Sequence, residues 1–310
     1  MSGGRLPGVR LMWPGRGAIA PRPVAPLRPV EGDSNAPNLL IRGDNRVVMT
    51  ALAGEPWAAR LEALGGVAMV YMDPPFFSGR DFFVREHGED GALAYSDRWP
   101  GGLAEFLATL EEQLALAWAL LREGGTMMIH LDQRVAPHAR LLADELFTGG
   151  HLVNEIIWHY HSGGGSRRGF GRKHDVILFY AKGEDYPFHA DAARVPYEAK
   201  IAAKRKALFH PEGKVAPDVW TISRPPNHAA EWTGYPTQKP LAVLERLIAV
   251  ASNPGDLVLD PFGGSGTTAV VAARLGRRFL HLDAGAESMR VAGERLRLDG
   301  VPFGLWDSAC

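Results

Sequence analysis

The chain has 310 residues and a formal net charge of −1, and 46% of its residues are hydrophobic while 22% are charged. This composition is typical of a globular protein, and the near-neutral charge gives no overall positive field of the kind that marks many nucleic-acid binders. The single cysteine, Cys310, excludes an intrachain disulfide, a cysteine-ligated metal and an internal thiol nucleophile, so we expect no bound metal.

The sequence also gives no sign of a membrane protein. No apolar run reaches the roughly 18–20 residues that cross a bilayer, and the N-terminal region lacks the apolar core of a secretory signal. We therefore expect a cytoplasmic protein without a membrane partner.

Residues 1–37 are rich in proline, glycine and arginine and have no helical or strand period, which predicts a disordered or loosely packed arm. Over residues 38–310, apolar runs alternate with amphipathic stretches. The predicted strands are 39–42, 67–72, 126–131, 152–160, 175–181, 256–260 and 277–283. One predicted helix begins near residue 43, and another ends near residue 147. The remaining predicted helices cover 103–121, 241–251, 267–276 and 285–298. The alternation predicts a mostly parallel sheet with helices on both faces.

The alternation is lost over residues 183–234, a polar segment with scattered prolines. Residues 161–214 hold eleven Lys and Arg against six Asp and Glu, an excess of five positive charges. A solvated surface insertion would have this composition, and so would an element that contacts a polyanion. Both interpretations stay open at this point.

The predicted strand over 67–72 runs directly into Asp73-Pro74-Pro75-Phe76. Two adjacent prolines end strand pairing and stiffen the backbone, so the carboxylate and the neighbouring carbonyl are held in place. A rigid turn with a carboxylate at the end of a buried strand is a candidate catalytic element.

A glycine-rich turn follows the predicted strand over 256–260. Gly264-x-Gly266-x-x-Ala269 fits the G-x-G-x-x-G/A pattern, in which glycine lets the backbone approach a ligand at a helix N-terminus. No Gly-Lys-Ser/Thr follows, so a P-loop is excluded. The pattern alone also fits a dinucleotide enzyme.

Two carboxylates near the glycines favour a different ligand. Asp260 lies at the tip of the strand, where it suits a cationic group better than a pyrophosphate. Asp283 ends the next predicted strand, and its separation from Gly266 is near the spacing of an acid that binds ribose hydroxyls. S-adenosylmethionine, which combines an adenosine with an ammonium group, fits both.

Asp73-Pro-Pro-Phe76 together with Asp260-Pro-Phe-Gly-Gly-Ser-Gly-Thr-Thr268 resembles the amino-group DNA methyltransferases. The first motif lies far before the second along the chain, which is the circularly permuted order of their β class. Supporting segments in the family's order are Leu40–Asn45, Lys173–Lys182 and Tyr235–Pro240. The resemblance extends from Leu39 to about Leu298 except for the insertion.

The resemblance implies a Rossmann-like methyltransferase fold with a seven-stranded, mostly parallel sheet. It implies transfer of a methyl group from S-adenosylmethionine to the N6 amine of an adenine flipped out of double-stranded DNA. Residues 38–310 would form the catalytic domain, and the insertion over 183–234 would be the target recognition region. A homodimer is also implied, whereas a partner nuclease stays open.

The chemistry assigns roles to the rigid turn. An exocyclic amine is a poor nucleophile, and hydrogen bonds from its two N–H groups to Asp73 and to the Pro74 carbonyl would localise its lone pair. Phe76 would stack on the base. Tyr180 or Phe179 could form the far wall, although alternating strand aromatics are more often core. The catalytic set is Asp73, Pro74, Pro75 and Phe76.

The cofactor set implied by the resemblance spans four segments, with Asp44 near the adenine. Lys239 would lie near the methionine carboxylate, or alternatively would only cap a helix or face solvent. Its members are Asp44, Lys239, Asp260, Pro261, Phe262, Gly263, Gly264, Ser265, Gly266, Thr267 and Asp283. The predicted DNA-contacting residues are Arg167, Arg168, Arg172, Lys173, Lys204, Arg205 and Lys206.

Other enzymes share parts of this pattern. A dinucleotide oxidoreductase has no use for Asp-Pro-Pro-Phe, and methyltransferases of RNA or protein amides place such a turn after the glycine loop. Cytosine C5 methylation needs an internal cysteine, which is absent. Cytosine N4 methylation could use the same acceptors, but its enzymes more often carry serine in place of Asp73, so adenine N6 is favoured.

Overall fold

The computed structural model describes residues 10–17, 22, 24–86, 89–161, 167–197, 210–224, 226 and 229–308. The strands are β1 (Leu27–Gly32), β2 (Leu39–Arg42), β3 (Val67–Met72), β4 (Asp81–Glu86), β5 (Glu89–Ser96), β6 (Leu121–Asp132), β7 (Gly150–His159), β8 (His174–Lys182), β9 (Arg194–Val195), β10 (Lys214–Val215), β11 (Val219–Thr221), β12 (Leu257–Asp260), β13 (Arg278–Asp283) and β14 (Gly304–Ser308). The α-helices are α1 (Asn45–Leu52), α2 (Trp57–Ala63), α3 (Gly102–Leu120), α4 (Ala136–Leu146), α5 (Leu241–Ala251), α6 (Thr267–Arg274) and α7 (Ala286–Leu298).

Ten of these strands form one sheet in the order β1-β14-β2-β13-β12-β3-β6-β8-β7-β11. The seven predicted strands lie side by side at its centre, from β2 to β7. Within them only β8 is antiparallel to its neighbours. The predicted α/β methyltransferase fold is confirmed, and the sheet is wider than predicted because strands are added at both sides.

Helices cover both faces of the sheet. Helices α1 to α4 pack on one face and α5 to α7 on the other, each against its own cluster of buried side chains. Every residue of β3 is buried, as expected for a central strand with helices above and below it. Helix α3 buries Phe106, Leu110, Leu114 and Ala117, which follow the helical repeat.

The predicted arm over 1–37 differs from the structure at residues 27–32. These residues form β1, which pairs antiparallel with β14 at the sheet edge, and Leu27 is buried there. Proline at position 29 is compatible with an edge strand, which needs fewer backbone donors. Farther back, Arg16 donates to Glu111 and Glu145, both at 2.9 Å, so this part of the arm is attached to α3 and α4.

Among the other elements that were not predicted are the β4–β5 hairpin and β11. The β4–β5 hairpin follows the Asp-Pro-Pro-Phe turn and contacts the segment before α5, where Arg85 N donates to Gly234 O at 2.9 Å. Within the predicted insertion, β11 joins the main sheet beside β7 and Trp220 is buried. No helix in the described ranges is long and apolar enough to cross a bilayer.

Candidate active site

The two sequence motifs lie at the same edge of the sheet. Strands β3 and β12 are parallel neighbours, with Val70 opposite Leu259. Asp73 and Asp260 therefore stand at the carboxyl ends of adjacent strands, which are about 4.8 Å apart in a sheet. Open α/β sheets bind ligands at this edge. The sheet thus brings together two segments that are far apart in the chain.

A cavity of about 740 Å³ opens at this edge, a size suited to a small molecule. The predicted catalytic residues that line it are Asp73, Pro74, Pro75 and Phe76. The predicted cofactor residues that line it are Asp44, Lys239, Asp260, Pro261, Phe262, Gly263, Gly264, Ser265, Thr267 and Asp283. Gly266 is set back from the cavity, against α7.

Asp73 is held by one ion pair. Its Oδ2 accepts a hydrogen bond from the ammonium of Lys239, a side chain that is only 9% exposed. Its Oδ1 is buried and has no hydrogen-bond partner in the part of the chain that the structure describes. Since a buried acceptor without a donor is costly, this oxygen is a ready acceptor for a ligand N–H. Lys239, predicted near the methionine carboxylate, is paired here with Asp73 of the Asp-Pro-Pro-Phe turn and also lines the cavity.

Phe76 and Phe77 have different surroundings. Phe76 lines the cavity, with the Lys239 ammonium 5.1 Å from its ring centroid and the His130 ring 6.0 Å away. The Phe77 ring packs on Phe106 of α3 at 5.6 Å. Phe76 is therefore the aromatic face available to a ligand, and Phe77 anchors the turn to the core.

Asp97 fixes the backbone that follows the turn. This carboxylate is 1% exposed and accepts hydrogen bonds from Phe77 N at 3.2 Å, Ser78 N at 2.6 Å and Trp99 Nε1 at 2.7 Å. Phe77 has a φ of 58°, in the left-handed region that costs a non-glycine residue about 1–2 kcal/mol. Three donors on one carboxylate hold this conformation. Sequence reasoning missed Asp97, because nothing in its local pattern indicates a contact with the turn on the far side of the β4–β5 hairpin.

Asp260 organises the glycine loop. Its Oδ1 accepts from Phe262 N at 2.9 Å and its Oδ2 from the Thr268 hydroxyl at 2.5 Å. Burial raises the pKa of the Asp260 carboxyl to about 7, against the effect of these two bonds. Both oxygens of Asp260 already accept hydrogen bonds from the loop and the start of α6, so this carboxylate stabilises the conformation of the loop.

Asp283 ties the glycine loop to the end of β13. It accepts from Gly264 N at 2.9 Å and from Gly285 N at 2.7 Å, and burial raises its pKa. From α7, Arg295 donates to Ser265 O at 2.8 Å. Burial lowers the pKa of this guanidinium to about 10. These contacts fix the loop backbone from within the protein.

Close packing explains two of the glycines. Gly266 has a φ of 78°, and a Cβ there would lie 2.6 Å from Ala292 Cβ. A Cβ on Gly263 would lie 2.1 Å from Nδ1 of the buried His281. Only glycine lets the loop pass this close to α7 and β13.

Asp44 caps α1 at the cavity wall. Its Oδ1 accepts from Arg46 N at 2.9 Å. Although partial burial acts in the opposite direction, the bonds from Arg46 hold the pKa of Asp44 below its ordinary value. The adjacent Asn45 donates to Pro261 O at 3.0 Å and accepts from Gln113 at 3.1 Å, so α1 and α3 support the glycine loop.

The opposite wall comes from β7 and from the segment before α5. Trp158 and Tyr160 line it, and the Arg224 guanidinium lies 3.9 Å from the Tyr160 ring centroid. Asp175 accepts from the Tyr160 hydroxyl at 3.1 Å and from Arg224 at 3.3 Å. Burial alone would raise the pKa of Asp175, but the neighbouring His130 and the nearby cations hold this pKa below its ordinary value. Sequence reasoning missed this wall.

Tyr180 and Phe179, the sequence candidates for that wall, do not line the cavity. The Tyr180 hydroxyl donates to Asp144 Oδ1 at 2.7 Å, and its ring packs edge-on against Phe147. Phe179 is buried on the other face of the sheet beside Tyr186. Both residues belong to the core, which was the favoured interpretation from the sequence, and the alternative of a far wall formed by either one is not supported.

Comparison with known proteins agrees with this geometry. Residues 67–294 match the family described as DNA methylase. The chain belongs to this family. The DNA adenine methyltransferase YhdJ of Escherichia coli (strain K12) is 32% identical over 240 residues, which cover 74% of this chain and 76% of that protein. The resemblance to amino-group methyltransferases is thereby confirmed, and the dinucleotide-oxidoreductase alternative is set aside.

Solved structures share the fold of this DNA methylase. The M1.HpyAVI–SAM complex superposes with a TM-score of 0.56 at 21% identity, over 83% of this chain and 98% of that one. The cytosine-N4-specific PvuII DNA methyltransferase gives a TM-score of 0.54 at 18% identity, over 83% and 86% of the two chains. The cofactor predicted from the sequence is thus the one named for a protein of the same fold.

The predicted DNA-contacting residues fall into two groups. Arg167, Arg168, Arg172 and Lys173 lie in the loop between β7 and β8, and Arg172 lines the cavity. Lys204, Arg205 and Lys206 lie outside the described residues. Of the first group, Arg172 is the residue that the structure places at the cavity, and DNA contact by both groups stays a prediction.

Proposed function

We propose that this DNA methylase transfers a methyl group from S-adenosylmethionine to the exocyclic N6 amine of an adenine that has been flipped out of duplex DNA. The observation that carries the proposal is the buried Oδ1 of Asp73, which has no partner in the described chain and lies in a cavity shared with the glycine loop. We further propose that residues 183–234 read the target sequence and that the protein acts in the cytoplasm.

The cavity fits the cofactor on two counts. The glycine loop offers a fixed backbone cradle at the start of α6, and Asp283 and Asp44 lie on the same wall. When bound there, S-adenosylmethionine supplies an electrophilic methyl group on a sulfonium. The residues proposed to contact it are Asp44, Pro261, Phe262, Gly263, Gly264, Ser265, Thr267 and Asp283. Asp260 and Gly266 are proposed to support the glycine loop that holds it.

The rigid turn prepares the amine. Lys239 fixes the orientation of Asp73, so Oδ1 accepts one amine N–H while the Pro74 carbonyl accepts the other. The two acceptors draw the nitrogen toward a tetrahedral form whose lone pair is available for in-line attack. Phe76 stacks on the base. After methyl transfer the amine nitrogen is positively charged and loses a proton, which Asp73 Oδ1 is placed to accept.

The adenine assignment rests on the carboxylate at position 73 and on likeness to YhdJ, which is named a DNA adenine methyltransferase. Cytosine N4 methylation is the second candidate, because the same acceptor pair serves either amine and the fold is shared with an N4-specific enzyme. Mass spectrometry of nucleosides from plasmid DNA in an expressing host distinguishes them. N6-methyladenine supports the proposal, whereas N4-methylcytosine alone would refute it.

The role of Asp73 has its own test. Asp73→Ala should abolish methyl transfer while leaving cofactor binding within about threefold of wild type, because Asp73 faces the amine rather than the glycine loop. Labelled-methyl transfer and calorimetric titration with S-adenosylmethionine measure the two properties. Normal turnover in this variant would rule out the assignment.

A further inference from the structure

The loop between β7 and β8 leaves the sheet beside the candidate active site. Strand β8 is antiparallel to both β6 and β7, so this loop lies at the edge where β6 and β3 end. The base of the loop is fixed, because Tyr160 N donates to Lys173 O at 3.0 Å and Lys173 Nζ donates to His161 O at 2.9 Å. Its described part, residues 167–173, therefore stands on an ordered base next to the cavity.

Phe170 is a fully exposed apolar residue of this loop, with a relative accessibility of 101%. The next most exposed large apolar residue of the described chain is Leu298, at 87%. Phe170 is flanked by Gly169 and Gly171, which bring no side chains that could cover its ring. The ring contributes nothing to the core, so its apolar surface is available to a partner.

The surroundings of Phe170 indicate what that partner is. Residues 167–173 carry Arg167, Arg168, Arg172 and Lys173 and no acid, and the Lys173 ammonium also holds the base of the loop. Such a loop suits a phosphodiester backbone. An apolar ring between phosphate-binding cations suits insertion between stacked bases. Arg172, two residues from Phe170, lines the cavity, so the loop that carries the ring adjoins the candidate site.

We propose that Phe170 is a wedge that enters the DNA base stack at the place left by the flipped nucleotide. This inference rests on the proposed function. Flipping a base breaks its pairing and stacking. A ring that fills the gap offsets part of that loss and hinders the return of the base, while the loop cations hold the flanking phosphates. Phe170 is thus a positioning residue that acts through the DNA.

The test compares paired and weakened duplexes. The probe is a short synthetic duplex carrying a site that the wild-type protein methylates, and a second duplex has a mismatch opposite the target base. We expect Phe170→Ala to lower the single-turnover rate about tenfold on the paired duplex. On the mismatched duplex, where less pairing must be broken, the deficit should shrink to about twofold. Phe170→Trp should keep most of the wild-type rate.

Leu298→Ala is the matched control, since it truncates an exposed apolar residue on α7. It should change neither rate. Equal rates for Phe170→Ala and wild type on the paired duplex would overturn the wedge, as would an undiminished deficit on the mismatched one. A wild-type protein that binds cofactor but methylates no DNA would instead overturn the proposed function and this inference with it.

Discussion

Replacing Asp97 by asparagine perturbs the catalytic turn without touching the cavity's reacting groups. Asp97 accepts three hydrogen bonds, two of them from the backbone N–H groups of Phe77 and Ser78. Asparagine has nearly the same size but has one acceptor oxygen and one NH₂ group. At least one of the three donors would then face another donor, so the backbone after Phe76 would relax.

The magnitude follows from the bonds involved. A hydrogen bond to a charged acceptor contributes about 1.5–3 kcal/mol, and at least one is lost. At about 2.1 cal/mol/K of unfolding entropy per residue, that corresponds to a fall in Tm of about 2–5 °C for a chain of 310 residues. The left-handed Phe77 would lose its support, and a shift of about 1 Å in the turn costs about 100-fold in rate.

Single-turnover methyl transfer, cofactor affinity and thermal unfolding of Asp97→Asn separate positioning from general destabilisation. We expect a rate lowered about 10–100-fold with an unchanged Kd for S-adenosylmethionine. Asp81→Asn is the control, because Asp81 lies on the same hairpin and pairs with Arg98 near the surface. A lowered Tm with an unchanged rate would refute the reasoning, and so would parallel losses of rate and cofactor affinity.

Three other changes test the cavity. Lys239→Gln should lower the rate without raising the cofactor Kd if Lys239 serves Asp73, and a raised Kd would return it to the methionine carboxylate. Gly266→Ala places a Cβ 2.6 Å from α7 and should weaken cofactor binding at least tenfold. Gly276→Ala is the control, because Gly276 also has a positive φ, of 72°, but its Cβ would meet no neighbouring atom. It should only lower stability by about 1–2 kcal/mol. Comparable Kd values for S-adenosylmethionine in the Gly266→Ala and Gly276→Ala variants would contradict this prediction. Burial raises the pKa of Asp260 to about 7, so this group's contribution to stability is complete below about pH 4 and is lost as pH rises through 7. When the free energy of unfolding is measured with denaturant as a function of pH, Asp260→Asn should lack this loss of stability between about pH 4 and pH 7. Parallel pH profiles for the wild type and the variant would show that Asp260 does not titrate in that range.

Local patterns were enough to predict the centre of the sheet and the two motifs. The strands that end at Asp73 and Asp260 are short, continuous apolar runs followed by proline or glycine, and both features are encoded within a few residues. Asp283 could be placed because strand β13 follows α6 at the spacing of a βαβ unit. Such segments need no knowledge of distant contacts.

The missed features at the sheet edge and at the far wall of the cavity depend on contacts between distant segments. Strand β1 forms because Leu27 pairs opposite Ser308, and the composition of residues 1–37 gives no hint of that partner. The far wall joins Tyr160, just after β7, to Arg224 of the insertion, and these two residues are distant along the chain. The composition of each segment suits a loop or a core strand, and only the folded sheet brings them to one cavity.

The three carboxylates at the carboxyl edge of the sheet differ in whether an oxygen is left without a hydrogen bond. Asp260 and Asp283 each accept two hydrogen bonds from their own loops, which fixes the backbone around the glycines. Asp73 has one oxygen on Lys239 and the other without a partner in the described chain. An unbonded buried oxygen is unfavourable in the free protein, and a ligand N–H relieves that cost. The candidate site thus offers an acceptor to a ligand hydrogen-bond donor at Asp73 in particular, as the proposed methylation of an exocyclic amine requires.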